Sequence, residues 1–219
     1  MTPTPTNTPI TSDLIFADSF ESGNFSAWTS ASIGGGDLSV TTSAALVGSN
    51  GMQAVINDTT AMYVEDRTPN AEPRYRARFY FDPNSITMAD GDMHTLFYGF
   101  SGSTSVLRVD FRRSGGVYQL EARALDDGAI WTATPWFTIS DAPHVIEFDW
   151  QASSAAGANN GSLAFWLDGT QQASLTGIDN DTRRIDTVRL GGVTGLDAGT
   201  SGTEYFDAFE SHRQTYIGP

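Results

Sequence analysis

A chain of 219 residues with a net charge of −14, no lysine and no cysteine excludes several function classes at once. Nucleic acid and anionic membrane both need a cationic footprint, so neither is expected as a partner. Without cysteine there is no disulfide framework, thiol nucleophile or thiolate metal site.

The composition, 39% hydrophobic and 17% charged with 22 glycines, suits many short strands joined by turns. No apolar run reaches the roughly 18 residues of a membrane span, so no membrane insertion is expected. The opening MTPTPTNTPITSD lacks the positive and apolar regions of a signal peptide. Residues 1–12 read as an extended Thr/Pro-rich linker or tail, a spacer common between modules of secreted bacterial proteins. A secreted or cell-surface location follows as an expectation.

Leu14 to Phe20 reads as the first strand, leading into a turn at Gly23, and Gly34 to Gly36 as a loop. Leu38 to Thr42, Met52 to Ile56 and Ala61 to Glu65 are short strands of a meander. In Arg74 to Asp82 a period of two places Tyr75, Ala77, Phe79 and Phe81 on one face, and Arg74, Arg76, Arg78 and Tyr80 on the other. Met93 to Ser101, Val106 to Arg112 and Val117 to Ala124 follow, with Arg108, Asp110, Arg112, Gln119, Glu121 and Arg123 on polar faces. The segment Ala129 to Ile139 carries Trp131 and Trp136 around Pro135.

His144 to Leu175 is the most readable stretch. Ile146, Phe148 and Trp150 alternate with Val145, Glu147 and Asp149, and Leu163, Phe165 and Leu167 with Ala164, Trp166 and Asp168. Asp168-Gly169 is the signal of a type I′ hairpin, which needs positive φ at both central positions. Arg183 to Leu190 is a further strand, Gly191 to Gly202 a glycine-rich loop, and Glu204 to His212 a closing strand in strict alternation. About 13 strands without an internal repeat predict two packed antiparallel sheets, one β-sandwich domain over residues 13–219.

The run His144-x-x-x-Phe148-x-Trp150, followed by Trp166-Leu167-Asp168-Gly169, resembles a strand pair of concanavalin A-like jelly rolls, laminin-G-type domains and glycoside hydrolase family 16 among them. Asp18-x-Phe20-Glu21-x-Gly23, a few residues before Trp28, resembles the opening of bacterial concanavalin A-like domains. The resemblance implies an all-β concanavalin A-like jelly roll and says little about function, because unrelated activities share that sandwich. It also implies a Ca²⁺ site where the opening turn meets the last strand, with Asp207 matching the closing-strand carboxylate and Asp18, Glu21 and Gly23 in the turn. Oxygen ligands are what Ca²⁺ requires; the alternative is that these carboxylates bond turn amides.

Chemistry has few other places to sit. Arg74, Arg76, Arg78, Tyr80, Arg108, Arg112, Glu147, Asp149 and Trp166 are the polar-face candidates for a ligand. One reading is a solvated face of cross-strand ion pairs, each contributing about 0.2–1 kcal/mol. The other is a groove that hydrogen-bonds sugar hydroxyls or uronates and stacks a ring on Tyr80 or Trp166. Trp131 and Trp136 are either sugar platforms or core.

Glu147-Phe148-Asp149-Trp150-Gln151 resembles the Glu-x-Asp-x-Glu catalytic strand of family 16 hydrolases, but Gln151 cannot act as proton donor or base. A lyase would need a Tyr or His base; the three histidines include His94 and His144, which read as capping or packing residues. No catalytic residue is assigned. The leading reading is a non-catalytic, extracellular glycan-binding or adhesive module, whose partner is a polysaccharide or cell-surface glycan. The competing readings are a self-assembling surface or filament subunit whose N-terminal tail docks on a neighbouring copy, and a polysaccharide lyase or hydrolase.

Overall fold

The computed structural model describes residues 12–219, so the Thr/Pro tail and any docking by it lie outside the described residues apart from Ser12. Two antiparallel sheets of eight strands each pack face to face. The first sheet holds β1 (Leu14–Asp18), β3 (Leu38–Thr41), β4 (Gly51–Ile56), β6 (Arg74–Asp82), β12 (His144–Gln151), β13 (Gly161–Leu167), β14 (Thr170–Ile178) and β16 (Gly202–His212). The second holds β2 (Ser30–Ser32), β5 (Met62–Asp66), β7 (Met93–Ser101), β8 (Thr104–Ser114), β9 (Val117–Leu125), β10 (Trp131–Ala133), β11 (Phe137–Ile139) and β15 (Thr187–Thr194). No described helix is long and apolar enough to cross a membrane.

Alternation explains the core. Tyr75, Ala77, Phe79 and Phe81 of β6 are fully buried, as are Ile146, Phe148 and Trp150 of β12 and Leu163 and Phe165 of β13. They meet the inner face of the second sheet through ring contacts such as Phe97 with Phe148 at 4.7 Å and Phe81 with Phe111 at 5.1 Å. Each such side chain removed from water contributes about 1.5–3 kcal/mol. The Asp168-Gly169 hairpin forms as expected, with φ of 50° and 75°.

Several expectations are corrected. Among the described residues sixteen strands form where about 13 were read from spacing. Ser30–Ser32 is a short polar edge strand with no apolar period to reveal it. The segment from Ala129 to Ile139 divides into β10 and β11 around Pro135, which has no N–H for a ladder. The strand expected at Arg183 begins only at Thr187 and runs on through Gly191 and Gly192. A Cβ on Gly191 would lie 2.5 Å from the Met62 carbonyl oxygen, so this glycine marks close backbone approach rather than a loop. In β16 the strict alternation breaks at a bulge where Ala208 takes φ of 46°, and both Phe206 and Phe209 turn into the core.

One polar pair crosses the core. His94 Nε2 on β7 lies 3.0 Å from Glu204 on β16, with both side chains sealed from solvent. His94 is thus a packing residue with a buried carboxylate partner in the opposite sheet.

Candidate functional site

The polar residues expected on one shared face occupy both outer faces of the sandwich. Arg74, Arg76, Arg78, Tyr80, Glu147, Asp149 and Trp166 lie on the first sheet; Arg108, Arg112, Trp131 and Trp136 belong to the second, Trp136 in the link between β10 and β11. No single groove collects them, because β6 pairs with β12 while β8 pairs with β7 and β9.

The first face is closed. Arg74 is bidentate to Asp149 (2.9 and 2.6 Å), and Arg76 bridges Glu147 (2.9 Å) and Asp149 (2.7 Å). The C-terminal segment then lies across these pairs. The Ile217 and Gly218 amides donate to the two oxygens of Glu147 at 3.1 and 2.9 Å, and Arg78 donates to the Gly218 carbonyl at 3.3 Å. The Tyr216 ring packs against Trp166 at 5.9 Å, and its hydroxyl donates to the Gly169 carbonyl. Arg76 sits over both rings, at 4.8 Å from Trp166 and 5.3 Å from Tyr216. Arg76 and Glu147 are left only 5% and 2% exposed.

The second face is open and carries its aromatics on its surface. A row runs Ala133, Arg123, Arg108, Tyr98, Arg189, Glu65 and Ser30 across six paired strands and the β2 edge. Arg108 stacks on Trp131 at 4.8 Å, Arg112 on Trp136 at 3.9 Å, and Arg189 on Tyr63 and Phe100 at 4.4 and 4.9 Å. Beneath the row Asp110 is fully buried; Thr95 donates to it at 2.6 Å, and Arg108 and Arg123 approach it at 3.0 and 3.2 Å. Burial pushes the Asp110 carboxyl above its usual range against the pull of Thr95 and the two arginines. Burial does the same to Glu121, opposed by its bond from Arg123. Arg112 donates to Gln119 at 2.9 Å and meets no carboxylate among the described residues. Tyr63, Tyr98, Phe100 and Arg189 escaped the sequence reading. A bulge between Thr95 and Phe97 shifts the phase of β7, and its facing cannot be extrapolated from either end.

The expected metal set is satisfied by N–H donors. Asp18 accepts from the Phe20 amide (2.9 Å) and the Trp28 indole (2.8 Å). Glu21 accepts from the Ser49 and Asn50 amides, which lower its carboxyl. Asp207 accepts from Leu46 and Val47 at 2.9 and 2.8 Å, while burial raises it. Gly23 closes the opening turn by donating to the Phe20 carbonyl. These are the contacts that the turn-amide alternative expects.

The described residues gather a different acidic group, Asp127, Asp179 and Asp181, with one oxygen of each within 4.8 Å of the others. This group could hold a metal ion. Asp179 is raised by partial desolvation and then by the charges of Asp127 and Asp181. Asp126-Asp127-Gly128 and Asp179-Asn180-Asp181 read only as acidic turns in the sequence, since nothing in it shows that two loops more than fifty residues apart would meet.

His144, expected to cap or pack, lies at the start of β12 between two oxygens. Its Nδ1 is 2.8 Å from Asp168 Oδ2, and its Nε2 is 2.9 Å from Ser140 Oγ.

No protein-family model matches the chain, and comparison with curated proteins finds no match. Solved structures do resemble it. A cellulose-induced protein superposes with a TM-score of 0.65 at 18% identity, covering 93% of this chain and 99% of the other. An alginate lyase superposes at 0.59 with 11% identity over 90% and 96% of the two chains. The binding domain of a paraclostridial mosquitocidal protein superposes at 0.63 with 9% identity over 94% of this chain, which spans half of that domain. At these identities the likeness establishes the β-sandwich fold alone.

Proposed function

We propose that this chain is a concanavalin A-like glycan-binding module of a secreted bacterial protein, and that the outer face of the second sheet is its binding surface. The observation that carries the reading is the contrast between the two faces. The charges of the first sheet are spent on one another and roofed by residues 216–218. The second sheet leaves Tyr98, Trp131 and Trp136 half-buried beside Arg108, Arg112 and Arg123. Such rings offer flat apolar area to a sugar, and guanidinium forks match hydroxyls, carboxylates or sulfates. The face carries four arginines, Arg108, Arg112, Arg123 and Arg189, against Asp110, Glu121 and Glu65, on a chain of net charge −14. That local excess favours an acidic sugar, with Arg112 as the group free to meet its anion. The fold shared with a cellulose-induced protein and the binding domain of a mosquitocidal protein agrees with this reading.

Calcium is the second element of the proposal, held by Asp179 and Asp181 together with Asp127, whose carboxylate also meets Thr182 and Arg183.

A glycan array followed by calorimetry on the best acidic and neutral hits tests the binding surface. Trp131→Ala and Trp136→Ala are expected to weaken binding at least about tenfold, while Trp166→Ala leaves it unchanged. The reverse ranking would move the site to the first sheet.

A further inference from the structure

Ser140, His144 and Asp168 stand in the order and spacing of an acyl-transfer triad. We propose that this group is a serine esterase site, separate from the glycan face, which hydrolyses short acyl esters. The Ser140 amide, which can only donate, points at His144 Nε2 at 3.2 Å. That fixes Nε2 as the acceptor and leaves the ring proton on Nδ1, 2.8 Å from Asp168 Oδ2. The Ser140 hydroxyl lies 2.9 Å from the same Nε2, within reach of a general base, so that nitrogen's one lone pair is shared between the amide and the hydroxyl.

The three residues come from separate elements. Ser140 follows β11 of the second sheet; His144 opens β12 and Asp168 opens the hairpin after β13, both in the first sheet. Asp168 is held from both sides: its Oδ1 accepts the Val145 amide at 2.8 Å and its own amide donates to the Val145 carbonyl at 2.9 Å. Tying β12 to the hairpin needs only His144 and Asp168. The Ser140 hydroxyl is the part a structural clip does not require.

A half-open cleft of about 430 Å³ is lined by His144 and Asp168 together with Phe137, Ile139, Leu167 and Thr170, and Ser140 is not part of its lining. The Asp141 and Ala142 amides, immediately after Ser140, donate to no other described residue.

The step balances without a cofactor. Ser140 Oγ attacks the ester carbonyl carbon while its proton passes to His144 Nε2. The C–O bond to the alcohol breaks, and the alcohol leaves with that proton. Water, deprotonated by the same nitrogen, then cleaves the acyl-Ser140 ester, giving a carboxylic acid and restoring the hydroxyl. Asp168 acts through His144 as a positioning residue.

Two probes that ignore fine substrate specificity decide the matter on the full chain: a fluorophosphonate, whose adduct site is mapped, and 4-nitrophenyl acetate. The expected result is one phosphonyl adduct, mapped to Ser140, and acetate release that falls at least about a hundredfold in Ser140→Ala at an unchanged melting temperature. Asp168→Asn is expected to slow phosphonylation of Ser140, and Asp168→Glu to restore part of the rate. Absence of an adduct on Ser140, or equal acetate release by wild type and Ser140→Ala, would overturn the proposal. The adduct is read on the wild-type chain, so it decides even where a variant fails to fold.

Discussion

Glu147 holds Gly218 by a carboxylate oxygen 2.9 Å from its amide, and through this bond the chain's last residues cover the charged face of the first sheet. The same carboxylate pairs with the buried Arg76 at 2.9 Å, so one side chain neutralises a charge and anchors a strap. Two consecutive amides reading one carboxylate is a charge-assisted contact, stronger than a neutral one.

Glu147→Ala is therefore expected to cost about 3–5 kcal/mol, because it leaves Arg76 buried with Asp149 as its remaining partner. The Ile217 and Gly218 amide protons should also exchange faster in the variant. An unchanged urea midpoint with unchanged exchange would show that Glu147 anchors nothing.

Phe148 and Trp150 are both fully buried on β12, and replacing either by alanine is expected to cost about 3–5 kcal/mol in equilibrium unfolding. Trp150→Phe should cost clearly less than Trp150→Ala. The Trp150 indole N–H has no hydrogen-bond partner, so phenylalanine keeps most of the packing and removes an unsatisfied donor.

Stability should rise as pH falls from neutrality towards the ordinary carboxylate range. Burial raises the carboxyls of Asp18, Asp66, Asp110, Glu121 and Asp207 above their unfolded values, so the native state takes up protons before the unfolded chain does. With more protons bound in the native state, unfolding free energy falls as pH rises through those folded values. At lower pH the trend reverses, since Asp13, Glu21 and Glu65 are lowered in the folded state and their contribution is lost on protonation. Asp66→Asn removes one of the raised groups and keeps an acceptor for Thr68, so its midpoint should depend less steeply on pH between those limits. An equal slope in wild type and variant would count against Asp66 as a contributor.

Calcium titration followed by thermal melting separates the two metal locations. The expected outcome is stabilisation by calcium that survives Asp207→Asn and disappears in Asp179→Asn and Asp181→Asn. Loss in Asp207→Asn alone would return the site to the opening turn.

Much of the sandwich was legible because its signal is local. Period-two alternation set the facing of β6, β12 and β13, and Asp168-Gly169 announced its hairpin, since positive φ at both turn positions restricts residue choice within two residues. The sequence also placed Glu147, Asp149 and Arg76 on one polar face. It could not say that residues 217 and 218 would fold back over them, because that contact joins positions some seventy residues apart.

The sequence by itself determined a β-rich chain without thiol chemistry, its long strands and the inward face of most of them. Tertiary structure alone decided which strands share a sheet, and so divided one imagined polar surface into a closed face and an open one. It likewise brought Asp127 to Asp179, and Ser140 and Asp168 to His144. The physical reason is that strand pairing and loop meetings depend on contacts between distant segments, whereas periodicity constrains only which way a side chain points.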